Sequence, residues 1–123
     1  MRTIKFRAKG KSDSQWHYGS LLQIGDDLSI ATDTEAVYEM YDVDPETIGQ
    51  FIGLYDKDGK EIYEGDILYF NGIIVEIRFV RGVFALLVNG DLDEELCGDC
   101  RTDLFAKVIG NVYENPELLK GGK

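Results

Sequence analysis

The clearest strand and turn signals of the chain lie between Ile67 and Val88, where the sequence reads ILYFNGIIVEIRFVRGVFALLV. Asn71-Gly72 is the strongest hairpin-turn signal in the chain, because both residues tolerate the positive φ that a type I′ turn requires. Gly82 marks a second turn, so the stretch predicts three antiparallel strands over 67–70, 73–80 and 83–88. We expect this meander to form the stable core, with Phe79 as one of its buried side chains.

Working outward, strands are predicted along most of the chain. Alternation of apolar and basic residues predicts a half-buried strand over 4–9, and β-branched and aromatic content predicts the others. Residues 35–42 fit a strand or a helix. Asp44 as cap with Pro45 at the first position predicts a short helical turn, and Asn115-Pro116 predicts another near the end. The remaining predicted strands cover residues 16–24, 28–32, 50–55, 61–66 and 107–113.

These elements predict an all-β class, mainly β with one or two short helical turns. The size of the segment 61–115 fits an SH3-like barrel or meander packed with an N-terminal β layer. A length of 123 residues fits one domain, 1–123, with 1–55 and 61–115 as its two sub-layers.

Charge excludes several classes of function. The chain carries 13 Lys and Arg against 23 Asp and Glu, for a net charge of −10. Nucleic-acid binders and proteins of anionic membranes need basic surfaces, so neither is expected. No apolar run approaches the roughly 20 residues of a membrane span, and the amino terminus lacks the apolar core of a signal peptide. A cytoplasmic location is therefore expected.

The acids are unevenly distributed. Residues 26–66 hold thirteen acids and two lysines, a net of −11, and residues 91–103 net −5, whereas residues 1–18 net +4. Three interpretations remain open. The acids keep the protein soluble, they form a face for a basic partner, or they meet the basic start within one subunit or between two.

Few residues suggest catalysis or metal binding. His17 is the one histidine, and its place inside the strand 16–24 favours an exposed residue opposite the aromatic face over a general base or a metal ligand. Cys97-Gly98-Asp99-Cys100 is a lone C-x-x-C, which is weak evidence for zinc unless two subunits pool their pairs. Two reduced thiols that are dispensable for folding are the preferred interpretation.

Asp56-Lys57-Asp58-Gly59 resembles part of a calcium loop, but the required acidic residues at both ends of that loop are missing, so a hairpin turn is expected. Phosphate-binding glycine motifs do not occur in the sequence. No catalytic, cofactor-binding or metal-binding residue is therefore predicted. Six aromatic residues of the amino-terminal half are expected in the core or, where exposed, at an interface: Trp16, Tyr18, Tyr38, Tyr41, Phe51 and Tyr55.

Three blocks of the chain, residues 1–8, 43–67 and 108–119, resemble the YopX-like proteins of phages and prophages. The first reads MRTIKFRA, the second VDPETIGQFIGLYDKDGKEIYEGDI and the third VIGNVYENPELL. The resemblance implies a phage or prophage origin, a bacterial host and a mostly β fold. It brings no established activity and no assigned catalytic residue.

We therefore expect a cytoplasmic accessory protein that is not an enzyme and acts as a binding or assembly module. Its expected partners are proteins, including further copies of itself, with no direct contact to nucleic acid or membrane and no cofactor. The alternative is an acidic inhibitor that mimics nucleic acid and occupies the basic site of a host DNA-binding enzyme. An enzymatic function ranks third.

Overall fold

The structure, a computed structural model, describes residues 3–33, 38–88, 91–95 and 101–120. The predicted all-β class is confirmed, because two antiparallel sheets account for most of these residues and the helices are single turns. The strands are β1 (Phe6–Lys9), β2 (Trp16–Ile24), β3 (Asp27–Asp33), β4 (Tyr38–Asp42), β5 (Gly49–Tyr55), β6 (Glu61–Tyr63), β7 (Asp66–Phe70), β8 (Ile73–Val80), β9 (Val83–Val88), β10 (Asp91–Glu95) and β11 (Ala106–Asn111). The helical turns are a 3-10 helix (Pro45–Thr47), α1 (Thr102–Phe105) and α2 (Glu117–Lys120).

The chain divides into two compact units, Met1–Phe51 and Ile52–Lys123. In the first unit the strand order is β4-β3-β2-β1-β5, so β4 is the outermost strand. Ala8, Ile30 and Val43 form its fully buried centre, with Phe6, Leu21, Leu28 and Ile48 packed around them. Within the ambiguous stretch 35–42, the described residues 38–42 form a strand, in which Tyr41 pairs with the buried Ile30 of β3.

The predicted helical turn at Asp44-Pro45 is confirmed. The Asp44 side chain accepts a hydrogen bond from the Glu46 N–H at 3.1 Å, and Pro45 occupies the first helical position. Thr47 is buried within this turn and accepts a hydrogen bond from the Lys9 N–H. The cap therefore holds the chain beyond β4 against β1.

The second unit contains the predicted meander, in a sheet of order β10-β9-β8-β7-β11. Asn71 and Gly72 have φ of 52° and 87°, as a type I′ turn requires. The core of the unit combines alternate residues of the meander with β6 and β11, so both of these strands help to enclose it. Its buried members are Ile62, Leu68, Phe70, Val75, Ile77, Leu86 and Ala106.

One prediction about this core is wrong. Phe79 is 52% exposed, whereas Ile77, two residues earlier on the same face of β8, is fully buried. Period-two alternation places both side chains on one face, but the core ends before Phe79 because that residue lies at the tip of the β8–β9 hairpin. Two elements of the structure, β10 and α1, were not among the predicted elements.

A glycine inside the predicted strand 107–113 predicts a bulge or a close backbone approach, and Gly110 has this role in β11. The register of β11 against β7 shifts between Val108 and Gly110, which is the signature of a bulge. A Cβ at Gly110 would press on the side chain of Asn115, so the close approach there favours glycine. The SH3-like barrel, the single domain and the packing of an N-terminal layer stay predictions.

Candidate functional site

The candidate site is an open cleft of about 250 Å³ in the first unit. The turn between β1 and β2 forms one side and the end of β4 forms the other. A hydrogen bond from the Lys11 N–H to the Asp42 carbonyl, at 2.9 Å, joins the two sides. The lining residues are Gly10, Ser12, Asp13, Met40, Tyr41 and Asp42.

His17 lies beside this cleft and is not the exposed strand residue that the sequence predicted. Its side chain is 12% exposed, and its ring stacks on Tyr41 with centroids 3.7 Å apart and planes 9° from parallel. The prediction is wrong because the strand register pairs His17 with the fully buried Ala8, which puts the ring on the core side of β2. Tyr18, on the opposite face, is the exposed residue at 45%.

A chain of polar contacts fixes the rings. His17 Nε2 lies 2.9 Å from Asp13 Oδ2, and Asp13 Oδ1 accepts a hydrogen bond from the Gln15 N–H. The Gln15 N–H, with a smaller contribution from His17, lowers the pKa of Asp13. The Tyr41 hydroxyl donates to Glu39 at 2.9 Å, and that carboxylate raises the pKa of Tyr41. At neutral pH the cleft therefore presents a carboxylate and a protonated phenol.

Glycine at position 10 makes room for the Asp13–His17 pair. A Cβ there would overlap the Asp13 carboxylate and press on His17 Nε2. The turn is closed by hydrogen bonds from the Gly10 N–H to the Gln15 carbonyl and from the Ser14 N–H to the Gly10 carbonyl. Asp13 and Tyr41 were not predicted as partners of His17, although the i, i+4 spacing of Asp13 and His17 across a predicted turn was a visible signal.

Beside the cleft, exposed carboxylates follow β4 and the 3-10 helix. We call Glu39, Asp42, Asp44 and Glu46 the acidic edge, and all four residues are exposed. The Ser29 hydroxyl donates to Asp42 at 3.1 Å, which orients one of these carboxylates. In the same strand Met40 is 46% exposed, so an apolar side chain lies among the acids.

This arrangement favours binding of a cationic group. Asp13 and Asp42 supply two carboxylates, while Met40 and Tyr41 supply apolar surface for the carbon stem of a lysine or arginine side chain. In the part of the chain that the structure describes, His17 has no hydroxyl or thiol hydrogen-bonded to it, so a nucleophile–base pair is not assembled. Among the same residues no group of three or more His, Cys, Asp or Glu could hold a metal ion.

Other residues singled out from the sequence have structural roles or lie elsewhere. Asp56 is 3% exposed and its carboxylate accepts hydrogen bonds from the N–H groups of Asp58, Lys60 and Val108, so the segment is a hairpin turn as predicted. Cys97 and Cys100 lie outside the described residues, and the predictions about them stay predictions.

The six aromatic residues are divided between core and surface. Phe51 is buried, Trp16 and Tyr41 are half-buried, and Tyr18 and Tyr55 are exposed. Arg7 lies 4.9 Å from the Trp16 ring and Lys5 5.8 Å from the Phe51 ring, so cations of the basic start pack on aromatic faces. The Tyr38 side chain lies outside the described residues.

Comparison with known proteins identifies the family. The model of the YopX protein family matches residues 5–120, which is nearly the whole chain. The chain belongs to the YopX family. Among solved structures, protein EF1440 from Enterococcus faecalis is similar at 26% identity and a TM-score of 0.64, over 97% of this chain and 99% of that one.

A second solved structure of the YopX family agrees in fold. Protein YopX from Bacillus subtilis is 24% identical to this chain, with a TM-score of 0.55 and full coverage of both chains, and this likeness shows the fold alone. No curated protein matches the chain. Within the described residues, no helix is long and apolar enough to cross a membrane.

Proposed function

We propose that this YopX-family protein is a non-enzymatic binding module that recognises a basic, extended segment of a protein partner at the cleft and the acidic edge. The observation that carries the proposal is that Asp13 and Asp42 both line a cleft whose remaining surface includes Met40 and Tyr41. In the same proposal the protein is a phage- or prophage-derived accessory protein of the bacterial cytoplasm, as the family resemblance implies.

The position of the cleft supports an extended partner. β4 is the outermost strand of its sheet, and among the described residues no strand pairs with its outer side, although the Lys11 N–H already binds the Asp42 carbonyl at its end. An added strand would gain main-chain hydrogen bonds from the part of this edge before Asp42, while its alternate side chains would reach the cleft. Lysine or arginine at those positions would meet Asp13 and Asp42, so recognition would combine backbone pairing with charge.

The geometry around His17 supports a role other than catalysis. Stacking on Tyr41 covers one face of the ring, and the hydrogen bond to Asp13 occupies Nε2. A general base needs a reactive proton within hydrogen-bond reach, and the described residues place no nucleophilic side chain there. We therefore assign the Asp13–His17–Tyr41 group to shaping the cleft.

The experiment measures binding of a labelled peptide of alternating arginine and valine by fluorescence anisotropy. We expect binding at low salt that weakens as salt rises, because surface charges are screened within roughly 8–10 Å at physiological ionic strength. Asp42→Asn should weaken binding, whereas Asp58→Asn, which changes an exposed carboxylate of the second unit, should leave it unchanged. A peptide with glutamate in place of arginine should not bind. Equal binding by the Asp42→Asn variant and the parent would refute the proposal.

A second candidate function is the acidic inhibitor that mimics nucleic acid, which the exposed carboxylates of the acidic edge favour. The carboxylates of the acidic edge are more widely spaced than the phosphates of DNA, and this spacing favours a protein partner over the mimic. Glu39 and Asp42 are three strand positions apart, about 10 Å at the usual rise per residue. One strand of DNA would present about three phosphate steps over that length.

The mimic is tested by competition with labelled DNA for a panel of host nucleases and polymerases at two salt concentrations. Displacement at low salt that is lost when Asp42, Asp44 and Glu46 become Asn or Gln would support it. If no enzyme of the panel releases its DNA, the mimic is excluded for that panel.

A further inference from the structure

The tip of the β8–β9 hairpin carries an aromatic pair at the surface, in which Phe79 is exposed and Phe84 is half-buried. Phe79 and Phe84 are cross-strand neighbours whose ring centroids lie 5.0 Å apart at 64°, an edge-to-face arrangement. Phe79 is 52% exposed and Val83 is 37% exposed. Both rings lie on the face of the sheet that forms the core, beyond the last buried residues of that face. The core therefore does not cover their apolar surface.

The same tip is basic in an acidic protein. Arg81 is exposed at the turn, where it and Gly82 have φ of 53° and 85°. Arg78 is 54% exposed and forms an ion pair with Glu76 at 2.8 Å. Residues 67–90 net +1, whereas residues 26–66 net −11. We call Phe79, Arg81, Val83 and Phe84 the aromatic tip.

We propose that the aromatic tip of one molecule docks on the acidic edge of a second copy of this chain. The inference rests on the proposed function, because the acidic edge is the surface assigned there to a basic partner, and it names that partner. Charge complementarity selects the occupant: Arg81 faces the exposed carboxylates of the edge, and Phe79 covers the exposed Met40 among them. Both surfaces exist on every copy, so no other protein is required.

Contact between two aromatic tips is the competing arrangement. It would bring the two Arg81 side chains together without an acidic partner, and it would strengthen with salt because only apolar surface drives it. Docking of tip on edge is instead a head-to-tail contact between different surfaces, which builds a ring or an open chain of copies. Salt therefore separates the two arrangements, since the tip–edge contact weakens as salt rises.

The test measures molar mass by size-exclusion chromatography with light scattering over a range of concentrations. We expect the mass of the parent to rise with concentration at low salt and to fall towards the monomer at high salt. Phe79→Ser, Arg81→Glu and Glu46→Lys should each remove the rise. Lys57→Glu, a charge reversal at another exposed position, should retain it. Circular dichroism melts establish that each variant is folded.

The decisive step mixes two variants that fail alone. Glu46→Lys keeps an intact tip and Arg81→Glu keeps an intact edge, so an equimolar mixture should regain association as a one-to-one complex. A mixture that stays monomeric, a parent that is monomeric at every concentration, or a mass that grows with salt would each overturn the inference. If these results appear while Asp42→Asn still weakens binding of the arginine–valine peptide, the self-docking fails and the proposed function stands.

Discussion

Removing the Asp56 carboxylate should strongly destabilise the second unit. Oδ1 accepts hydrogen bonds from the N–H groups of Asp58 and Lys60, each at 2.9 Å, and Oδ2 accepts one from Val108 at 3.0 Å. The same carboxylate therefore closes the β5–β6 turn and binds β11. No other position of the turn makes both contacts.

The magnitude follows from these three bonds. A hydrogen bond to a charged group contributes about 1.5–3 kcal/mol. The Asp58 and Lys60 N–H groups lie at an exposed turn, where water replaces the lost acceptor. The loss of these two hydrogen bonds therefore contributes little to the change in free energy of unfolding. The Val108 N–H lies within a strand and loses its acceptor outright. We expect Asp56→Ala to lower the free energy of unfolding by about 3 kcal/mol. Asp56→Asn should cost roughly half as much, because its amide oxygen can replace Oδ2 as the acceptor of the Val108 N–H, but a neutral acceptor contributes less than a charged one.

The dependence of stability on pH tests the same contacts independently. Burial raises the pKa of Asp56, but the hydrogen bonds from Val108, Lys60 and Asp58 outweigh it, so the pKa lies below its ordinary value. A carboxyl with a lowered pKa stabilises the fold fully above its unfolded pKa of about 3.9. That stabilisation is lost as the pH falls through the folded pKa. The difference between the parent and Asp56→Asn should thus be constant near neutral pH and shrink in acid.

The assay is urea unfolding followed by circular dichroism at neutral pH and at several acidic pH values. Asp58→Ala is the matched control, because its carboxylate is 62% exposed and its ion pair with Lys107 is long at 3.9 Å. This control should change stability by less than about 1 kcal/mol. The reasoning is refuted if Asp56→Ala costs no more than Asp58→Ala, or if the difference between parent and Asp56→Asn grows as the pH falls.

Three further predictions concern packing and backbone conformation. Ile77→Ala should lower the free energy of unfolding by about 2–5 kcal/mol and Phe79→Ala by less than about 1 kcal/mol in a urea melt. A larger loss for Phe79→Ala than for Ile77→Ala would show that the core has been assigned to the wrong residues. Gly72→Ala should cost about 1–2 kcal/mol in the same assay, because the turn needs φ of 87° there, and an unchanged midpoint would contradict this. Gly10→Ala should shift the ring resonances of His17 in NMR spectra recorded at one neutral pH, since the added Cβ displaces the carboxylate that binds the ring. Unchanged ring resonances would count against that geometry.

Local signals in the sequence predicted local structure well. Asn71-Gly72 identified the central hairpin, Asp44-Pro45 identified the 3-10 helix, and Gly110 identified the bulge of the last strand. Each of these features depends on residues within a few positions of one another. Their conformational preferences are strong enough that tertiary packing does not override them.

Features that depend on distant pairing were missed or misjudged. The apolar alternation of β8 gave the correct face but could not show where the core ends, so Phe79 was placed inside it. His17 was misassigned because its burial follows from its register against Ala8. The role of Asp56 was invisible because its acceptor bond to Val108 spans 52 positions. The candidate cleft was missed for the same reason, since β4 and the β1–β2 turn meet only in the folded chain.

The hydrogen bond between Asp56 and Val108 joins residues 52 positions apart, and this distance along the chain has a consequence during synthesis. The ribosome completes β7 long before β11, and β7 uses one side to pair with β8 and the other to pair with β11. Until the final strand leaves the exit tunnel, the nascent chain exposes the outer edge of β7, with Leu68 and Phe70 beside it. During the same interval the Asp56 carboxylate lacks its third hydrogen-bond donor, the Val108 N–H. The emerging chain is therefore open to pairing with a neighbouring nascent chain from the release of β7 until the arrival of β11, which closes that interval.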